Sequence, residues 1–290
     1  MNKSALTADQ IHFYHENGYL VVENVISAEQ CDRAIAMYEK YAKPDYRGIM
    51  NLYRGFVEYT EVNEGSSARC DVALGSFIRT LLLGRAGPGW RFRHSFDYRL
   101  EVTERVEVEQ EDVGFELSLV KHSAIVDMLF ILQNAEVGLL QTMLLFKKAG
   151  SSYASQSWNP HQDNAYPQSP WGMYITGNIP FTDQDPENGC MRIYPKSHVE
   201  PILPFDAKKS FHENPGERPG HCVDVPPQYT ATDLPMKKGS VLFLHGNVIH
   251  DSYPNRSKNR SRQMLLIPYI TKGADFIPGK TAKRTFSPLR

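Results

Sequence analysis

The segment 158–166, which reads WNPHQDNAY, carries His161 and Asp163 with one residue between them. Side chains two residues apart on a β-strand point to the same face, so the imidazole and the carboxylate are expected to project side by side from a rigid backbone. Both groups are common metal ligands, but two of them do not complete a site. The chain is therefore expected to fold so that a ligand from a distant segment reaches this pair.

The third ligand that the sequence predicts is His250. It follows the apolar run 240–244 and precedes another at 264–267, which places it at the end of a strand. Two histidines and one carboxylate form a facial triad that leaves coordination positions open on Fe(II). The segment 158–166 and the neighbourhood of His250 contain no cysteine, which argues against a thiolate zinc site, although the same triad would also accept Zn²⁺ or Mn²⁺.

An arginine-rich turn follows His250 and leads into the last apolar run. Arg262 opens that run, and Arg260 lies two residues earlier in the turn. A guanidinium binds a carboxylate through two parallel hydrogen bonds, so a buried arginine at this place suits an acidic co-substrate.

Four segments can be compared with known families: FYHENGYLVVENVIS at 13–27, HQD at 161–163, ENGCMRIYPKSH at 187–198, and HDSYPNRS at 250–257 with the arginine at 262. Together they resemble the phytanoyl-CoA dioxygenase family of Fe(II)/2-oxoglutarate oxygenases. The resemblance covers about 1–50 and 116–272, and it is poor across about 55–115.

The resemblance implies a set of residues that bind 2-oxoglutarate. Relative to the family, one residue has been added to the turn, and aligning the strand that follows favours Arg262 over Arg260 as the anchor. Ser252 matches a hydroxyl that bonds the co-substrate. Gln141 and Met143 share one face of the strand that lines the pocket in the family, with core packing as the alternative for Met143.

Residues after the metal pair are candidates for substrate contact. These are Asn164, Tyr166 and Trp171, for which packing in the core is the alternative. Asn178 stands where some family members carry a tryptophan near the co-substrate, and the smaller side chain is expected to widen the pocket.

The resemblance implies a dioxygenase that consumes O2 and 2-oxoglutarate and releases succinate and CO2. Because Asp163 keeps the carboxylate that related halogenases lack, hydroxylation of a small polar metabolite is expected, such as a natural-product intermediate or an aminophosphonate-like compound. Desaturation, cyclisation and epimerisation stay open. Two hypotheses from other classes are a non-oxidative cupin-like metal isomerase, against which Arg262 and Ser252 argue, and a non-catalytic jelly-roll binding domain.

Composition bounds the class of protein. With 290 residues, of which 41% are hydrophobic, the chain is long enough for one domain with a substantial core. A net charge of −1 gives no reason to expect nucleic acid or a membrane surface as partner, and no apolar run has the length of a membrane span. The four cysteines have no CxxC spacing and are expected to be reduced thiols, and the N-terminus has no signal-peptide pattern, so a cytoplasmic location is predicted.

Periodicity predicts a mainly β fold with flanking helices. Capping signatures predict helices over about 8–17 and 28–42, and apolar spacing predicts one more over 115–132. Strands are predicted at about 19–25, 137–148, 171–181, 190–195, 239–245, 247–251 and 263–271. Short strands with turn signals favour a double-sheet barrel, and the resemblance implies a double-stranded β-helix, the jelly-roll core of cupin-like proteins.

The chain is expected to form a single domain over 1–290, with an inserted segment at about 55–115. Within it, the alternation in RFRHSFDYRLEVTERVEVEQ suggests two strands or a hairpin. The insertion is expected to act as a lid over the site or as the interface of a homodimer, and a solvated strand pair is the alternative.

Overall fold

The computed structural model of the protein describes most of the chain. It gives the backbone alone for 49–53, 56–62 and 100–107, and full residues for 6–41, 108–150, 154, 157–204, 222–278 and 284–290. Four α-helices lie in the described part: α1 Ala8–Asn17, α2 Ala28–Tyr41, α3 Gln110–Val120 and α4 Ser123–Gln133. None of these is both long and apolar enough to cross a membrane.

Both predicted capping boxes are formed. The Thr7 N–H donates to Gln10 Oε1 at 2.9 Å, and the Gln10 N–H donates to Thr7 Oγ1 at 3.2 Å. Ser27 and Gln30 form the same reciprocal pair at 3.1 Å each. Each box satisfies two N–H groups that the first turn of a helix leaves without partners.

The single helix predicted over 115–132 is wrong, because two helices, α3 and α4, occupy this region. The backbone leaves the helical conformation at Lys121 (φ −99°, ψ 20°) and His122 (φ −55°, ψ 124°). The break redirects the chain, so that Leu119 and Val120 of α3 and Ile125 of α4 are all fully buried. Apolar spacing continues through the break, which is why the pattern alone suggested one helix.

The strands form two antiparallel sheets. The larger sheet has the order β1-β11-β8-β13-β6-β2-β3-β4, with β5 on β13 and β14 on β5, and the smaller has the order β10-β9-β12-β7. The strands are β1 Tyr19–Val22, β2 Ile49–Tyr53, β3 Phe56–Val62, β4 Leu100–Glu107, β5 Val137–Leu139, β6 Met143–Lys147, β7 Trp158–His161, β8 Tyr174–Pro180, β9 Met191–Ile193, β10 Thr232–Leu234, β11 Val241–His245, β12 His250–Ser252, β13 Arg262–Thr271 and β14 Ser287–Pro288.

The strand predicted over 137–148 is divided into β5 and β6. On β13, Tyr269 pairs with Leu139 and Leu266 pairs with Met143, so one extra residue must be accommodated between the two strands. Pro268 lies opposite this interval and has no N–H to donate, although its carbonyl accepts from the Leu140 N–H at 2.9 Å. The proline therefore explains the interruption.

The strands β2 and β3 lie where the sequence gave no strand signal, whereas β4 falls within the alternating segment at 91–110. The segment 44–62 has no clean period, yet β2 pairs with β6 and β3 pairs with β2. In the segment 55–115, β4 pairs with β3, which lies about forty residues earlier in the chain. Residues 63–99 lie outside the described part of the chain, so the hairpin, lid and interface expected there stay predictions.

The larger sheet separates two apolar layers. Leu144 and Phe146 of β6 belong to the cluster formed with the helices, whereas Met143 and Leu145 belong to a cluster shared with the smaller sheet. This alternation follows from the two-residue period of a strand. The face that carries Met143 therefore forms one wall of the space between the sheets.

We predict that Gly239→Ala destabilises the fold strongly. At φ +78°, a Cβ at Gly239 would lie 2.1 Å from the carbonyl oxygen of Ile26, while the Gly239 carbonyl itself accepts from the Val25 and Ile26 N–H groups. We expect a loss of more than about 3 kcal/mol in the free energy of unfolding, measured by urea denaturation. Gly273→Ala is the matched control, because it has φ +83° but open space around it, and it should lose only about 1 kcal/mol. Equal losses would contradict the steric explanation.

Glu116 gives a pH-dependent prediction. Burial raises its pKa to about 7, despite hydrogen bonds from Thr142 and Tyr38 that favour the charged form. Between its unfolded pKa and about 7, the folded state binds the proton more tightly, so stability falls as pH rises through this window.

Glu116→Gln removes this loss, so the variant should gain on the order of 3 kcal/mol at pH 8 and under about 1 kcal/mol at pH 5, measured by urea denaturation at each pH. Glu39→Gln, at an exposed position of α2, controls for the removal of one negative charge. A gain that does not change with pH would contradict the assignment.

Candidate metal centre

The two candidate histidine ligands lie side by side on neighbouring strands of the smaller sheet. β12 pairs antiparallel with β7, and His250 lies directly opposite His161. Their ring centroids are 4.2 Å apart, and both side chains are buried. The pairing thus joins two segments that are far apart in the chain.

Asp163 reaches the histidines from a turn, so its predicted place on a strand is wrong. β7 ends at His161, and Asp163 begins the 3-10 helix Asp163–Ala165. The Ala165 N–H donates to the Gln162 carbonyl at 3.1 Å, which closes this turn. Asp163 Oδ1 nevertheless lies 3.6 Å from both His161 Nε2 and His250 Nε2, and one ligand atom from each residue falls within 4.8 Å of the others.

Backbone carbonyls set the proton positions of the two rings. His161 Nδ1 lies 2.7 Å from the Asn159 carbonyl oxygen, and His250 Nδ1 lies 3.2 Å from that of Val248. Because a carbonyl oxygen only accepts, each Nδ1 donates its proton to the carbonyl, and each Nε2 is the nitrogen that faces Asp163. A metal-binding histidine commonly has this arrangement.

Electrostatics keep His250 and Asp163 in the forms that bind metal. Burial lowers the pKa of His250 to about 4, and the neighbouring His161 lowers it further while Asp163 opposes the shift. Burial disfavours the charged form of Asp163, but neighbouring groups, with the Thr176 hydroxyl among them, hold its pKa below the usual value. Two imidazole nitrogens and a carboxylate oxygen thus converge, an arrangement that a divalent cation would stabilise. The residues present therefore fit a metal ion.

A second layer of polar groups supports Asp163. Thr176 Oγ1 donates to Asp163 Oδ2 at 3.5 Å, and Asn178 Nδ2 donates to Thr176 Oγ1 at 3.1 Å. Sequence reasoning missed Thr176, because a threonine within an apolar strand has no distinguishing signal. Its position on β8, two residues before Asn178, is informative only once the strand is known to lie behind the triad.

A cavity between the two sheets opens beside the triad. Its wall is mostly apolar and includes Met143, Leu145, Trp158, Met191, Met264 and Leu266. Its polar lining consists of the three candidate ligands with Tyr166, Asp251, Ser252 and Arg262. Asp251 is engaged elsewhere, because its two carboxylate oxygens accept from Arg192 Nε at 2.7 Å and Nη2 at 2.6 Å.

The structure separates the two candidate anchors for 2-oxoglutarate. Arg262 is 1% exposed and lines the cavity, whereas Arg260 forms ion pairs with Asp185 and Glu187 at 2.6 Å each. Ser252 and Met143 also line the cavity. Gln141 is buried and does not line the cavity, and neither polar atom of its side chain has a hydrogen-bond partner within the part of the chain that the structure describes. The roles assigned to these residues stay predictions.

Of the four substrate candidates, Tyr166 lines the cavity, and the other three lie outside its lining. The Asn164 amide bonds to Ser169 and Asn247. Trp171 is 56% exposed and donates through Nε1 to the His198 carbonyl at 2.7 Å. Asn178 supports Thr176, as described above. Contact with substrate stays a prediction for all four.

His245 lies close to His250 in the chain but belongs to a different group. Its Nδ1 accepts from the Asn247 N–H at 3.1 Å, and its ring lies 4.9 Å from that of Trp171. Burial lowers its pKa to about 3, helped by His198. It is not one of the three residues whose ligand atoms converge.

Comparison with known proteins gives the family. The sequence profile of phytanoyl-CoA dioxygenase (PhyH) matches residues 14–264. The peroxisomal phytanoyl-CoA dioxygenase of Rattus norvegicus is 24% identical over 263 residues, which cover 89% of this chain and 67% of the relative.

Two solved structures share the fold. The carbocyclase SnoK from nogalamycin biosynthesis, described as non-heme and alpha ketoglutarate dependent, aligns with a TM-score of 0.60 at 18% identity, covering 97% of this chain and 90% of that chain. The epimerase SnoN, in complex with Fe3+, alpha ketoglutarate and nogalamycin RO, aligns with a TM-score of 0.59 at 16% identity, covering 97% and 92%. These likenesses confirm the predicted jelly-roll core with flanking helices. The chain belongs to the phytanoyl-CoA dioxygenase family, and with it to the 2-oxoglutarate-dependent non-haem iron oxygenases.

Proposed function

We propose that this protein is an Fe(II)- and 2-oxoglutarate-dependent dioxygenase that hydroxylates a C–H bond of a small polar metabolite and releases succinate and CO2. The observation that carries the proposal is the convergence of His161, Asp163 and His250 on one point at a cavity that also holds Arg262. When bound, iron and 2-oxoglutarate would supply the oxidation, with O2 as the oxidant.

The protein's residues have three tasks in this proposal. His161, Asp163 and His250 would hold the metal and leave coordination positions open for ligands. The Arg262 guanidinium takes the distal carboxylate of the co-substrate, and the Ser252 hydroxyl adds a hydrogen bond. The apolar wall, which includes Met143 and Leu266, excludes water from the reacting groups.

The donor set favours iron over a structural zinc ion. Two imidazoles and one carboxylate provide only nitrogen and oxygen, and three protein ligands leave positions open, as a non-haem iron oxygenase requires. The nearest alternative in another class is a metal isomerase that needs no 2-oxoglutarate. The buried Arg262 within the same cavity argues against it, because such an enzyme has no use for a carboxylate anchor there.

A second reaction class within the same chemistry is epimerisation or cyclisation. The structurally similar SnoN and SnoK are described as an epimerase and a carbocyclase. Product mass separates the outcomes: hydroxylation adds one oxygen atom, epimerisation leaves the mass unchanged, and cyclisation or desaturation removes two hydrogen atoms. All consume 2-oxoglutarate, whereas the isomerase and the non-catalytic binding domain do not.

Other parts of the assignment rest on sequence alone. A single domain over 1–290, a homodimer formed through 55–115 and a cytoplasmic location stay predictions. A small-molecule substrate, with neither nucleic acid nor membrane as partner, is part of the same proposal.

We predict that His161→Ala and Asp163→Ala abolish metal binding and catalysis while the protein stays folded. Each removes a ligand, and affinity for Mn²⁺, measured by calorimetric titration, should fall at least about 100-fold. Succinate release from 2-oxoglutarate should require Fe(II) in the unaltered protein and disappear in both variants.

His245→Asn is the matched control, because the Asn oxygen can still accept from the Asn247 N–H and the residue lies outside the triad. It should keep both metal affinity and succinate release. Unchanged succinate release in both ligand variants would refute the site.

We predict that Arg262→Ala raises the concentration of 2-oxoglutarate needed for half-maximal succinate release at least about tenfold, because a buried charged donor is lost. Arg260→Ala is the control, since its guanidinium is held by Asp185 and Glu187 away from the cavity lining. It should change this concentration less than about twofold. Equal effects of the two substitutions would mean that Arg262 is not the anchor.

A further inference from the structure

Two basic residues lie side by side at one end of the cavity, and one of them, Arg262, lines it. In the register of β6 and β13, Leu266 pairs with Met143, Met264 with Leu145, and Arg262 with Lys147. The first two pairs line the cavity. Because alternate residues of a strand share a face, Lys147 lies on the same face as Met143 and Leu145, directly beside Arg262.

Lys147 is tied to the cavity through Ser252. It is 1% exposed, and its Nζ donates to Ser252 Oγ at 2.8 Å and to the Tyr253 carbonyl. An ammonium group only donates, so Ser252 Oγ is an acceptor in this bond and its own proton is left to point elsewhere. Ser252 lines the cavity together with Arg262. Lys147 thus fixes the hydroxyl whose remaining donor can serve a ligand.

The charges at this end favour an anion. Like charges directly opposite on neighbouring strands repel each other. The nearby lining carboxylate, Asp251, is bonded through both oxygens to Arg192. A bound carboxylate would offset the repulsion between Lys147 and Arg262.

We propose that Lys147 is a positioning and specificity-determining residue of the co-substrate subsite: it orients Ser252 and, with Arg262, makes the site selective for 2-oxo acids that carry a second carboxylate. This inference rests on the proposed function, because it assumes that a 2-oxo acid binds beside the triad. The inference goes beyond the proposed function, because it assigns the discrimination between dicarboxylates and monocarboxylates to the positive charges of Lys147 and Arg262.

The sequence concealed this residue. Lys147 ends the apolar segment MLLFK, where a lysine is normally expected to extend into solvent. Lys147 lies an even number of residues after Met143, so the two share a face of the strand. Its burial and its position beside Arg262 are visible only in the structure.

The test compares two ligands on the Mn²⁺-loaded protein by calorimetry, so that binding is measured without turnover. One ligand is 2-oxoglutarate, and the other is 2-oxopentanoate, which has a methyl group in place of the distal carboxylate. The variants are Lys147→Met, which removes charge and donor, and Lys147→Gln, which removes the charge and keeps a donor for Ser252. Lys148→Met, at the exposed neighbouring position, is the matched control.

Both Lys147 variants should weaken 2-oxoglutarate binding at least about tenfold and change 2-oxopentanoate binding less than about threefold. Mn²⁺ affinity should stay unchanged, because Lys147 does not contact the triad, and the Lys148 control should behave as the unaltered protein. If the Met variant does not fold, the Gln variant decides the question, since its amide can still bond to Ser252.

Two results would overturn the inference alone: unchanged 2-oxoglutarate affinity in the folded variants, or equal weakening of both acids. A different result would overturn the proposed function: an unaltered protein that binds Mn²⁺ but neither acid. The inference about Lys147 would fall with it in that case.

Discussion

The antiparallel pairing of β7 with β12 is the interaction on which the rest of the site depends. It sets His250 opposite His161, although the two residues belong to segments that are far apart in the chain. A shift of one residue in this register would turn one imidazole to the other face of the sheet. Asp163 completes the group from the turn after β7, where its carboxylate lies within 3.6 Å of both rings.

The cavity has opposite electrostatic character at its two polar positions. At the triad, imidazole nitrogens and a carboxylate converge and favour a cation. At the end that holds Arg262, Lys147 and Ser252, donors and positive charge favour an anion. An apolar wall connects the two positions. A ligand that chelates the metal at one end and presents a carboxylate at the other satisfies both, and 2-oxoglutarate has this form.

Spacing and order along the chain were enough to predict His161, Asp163 and His250 as neighbours, because strand pairing joins the segments around them. The capping boxes at Thr7 and Ser27 depend only on residues three apart in the chain, and they were predicted correctly. Tertiary features were not accessible: the 3-10 turn at Asp163, the proline that divides β5 from β6 and the break between α3 and α4. Each depends on what lies opposite in the fold, and Thr176 and Lys147 escaped notice for the same reason.

The most direct test is a crystal structure of the protein grown with Mn²⁺ and 2-oxoglutarate in the absence of O2, with the metal located by its anomalous scattering. The metal is predicted to lie among His161 Nε2, Asp163 Oδ1 and His250 Nε2, with the co-substrate extending from it to Arg262. A metal bound elsewhere, or a His250 imidazole that stands apart from His161 and Asp163, would contradict the account.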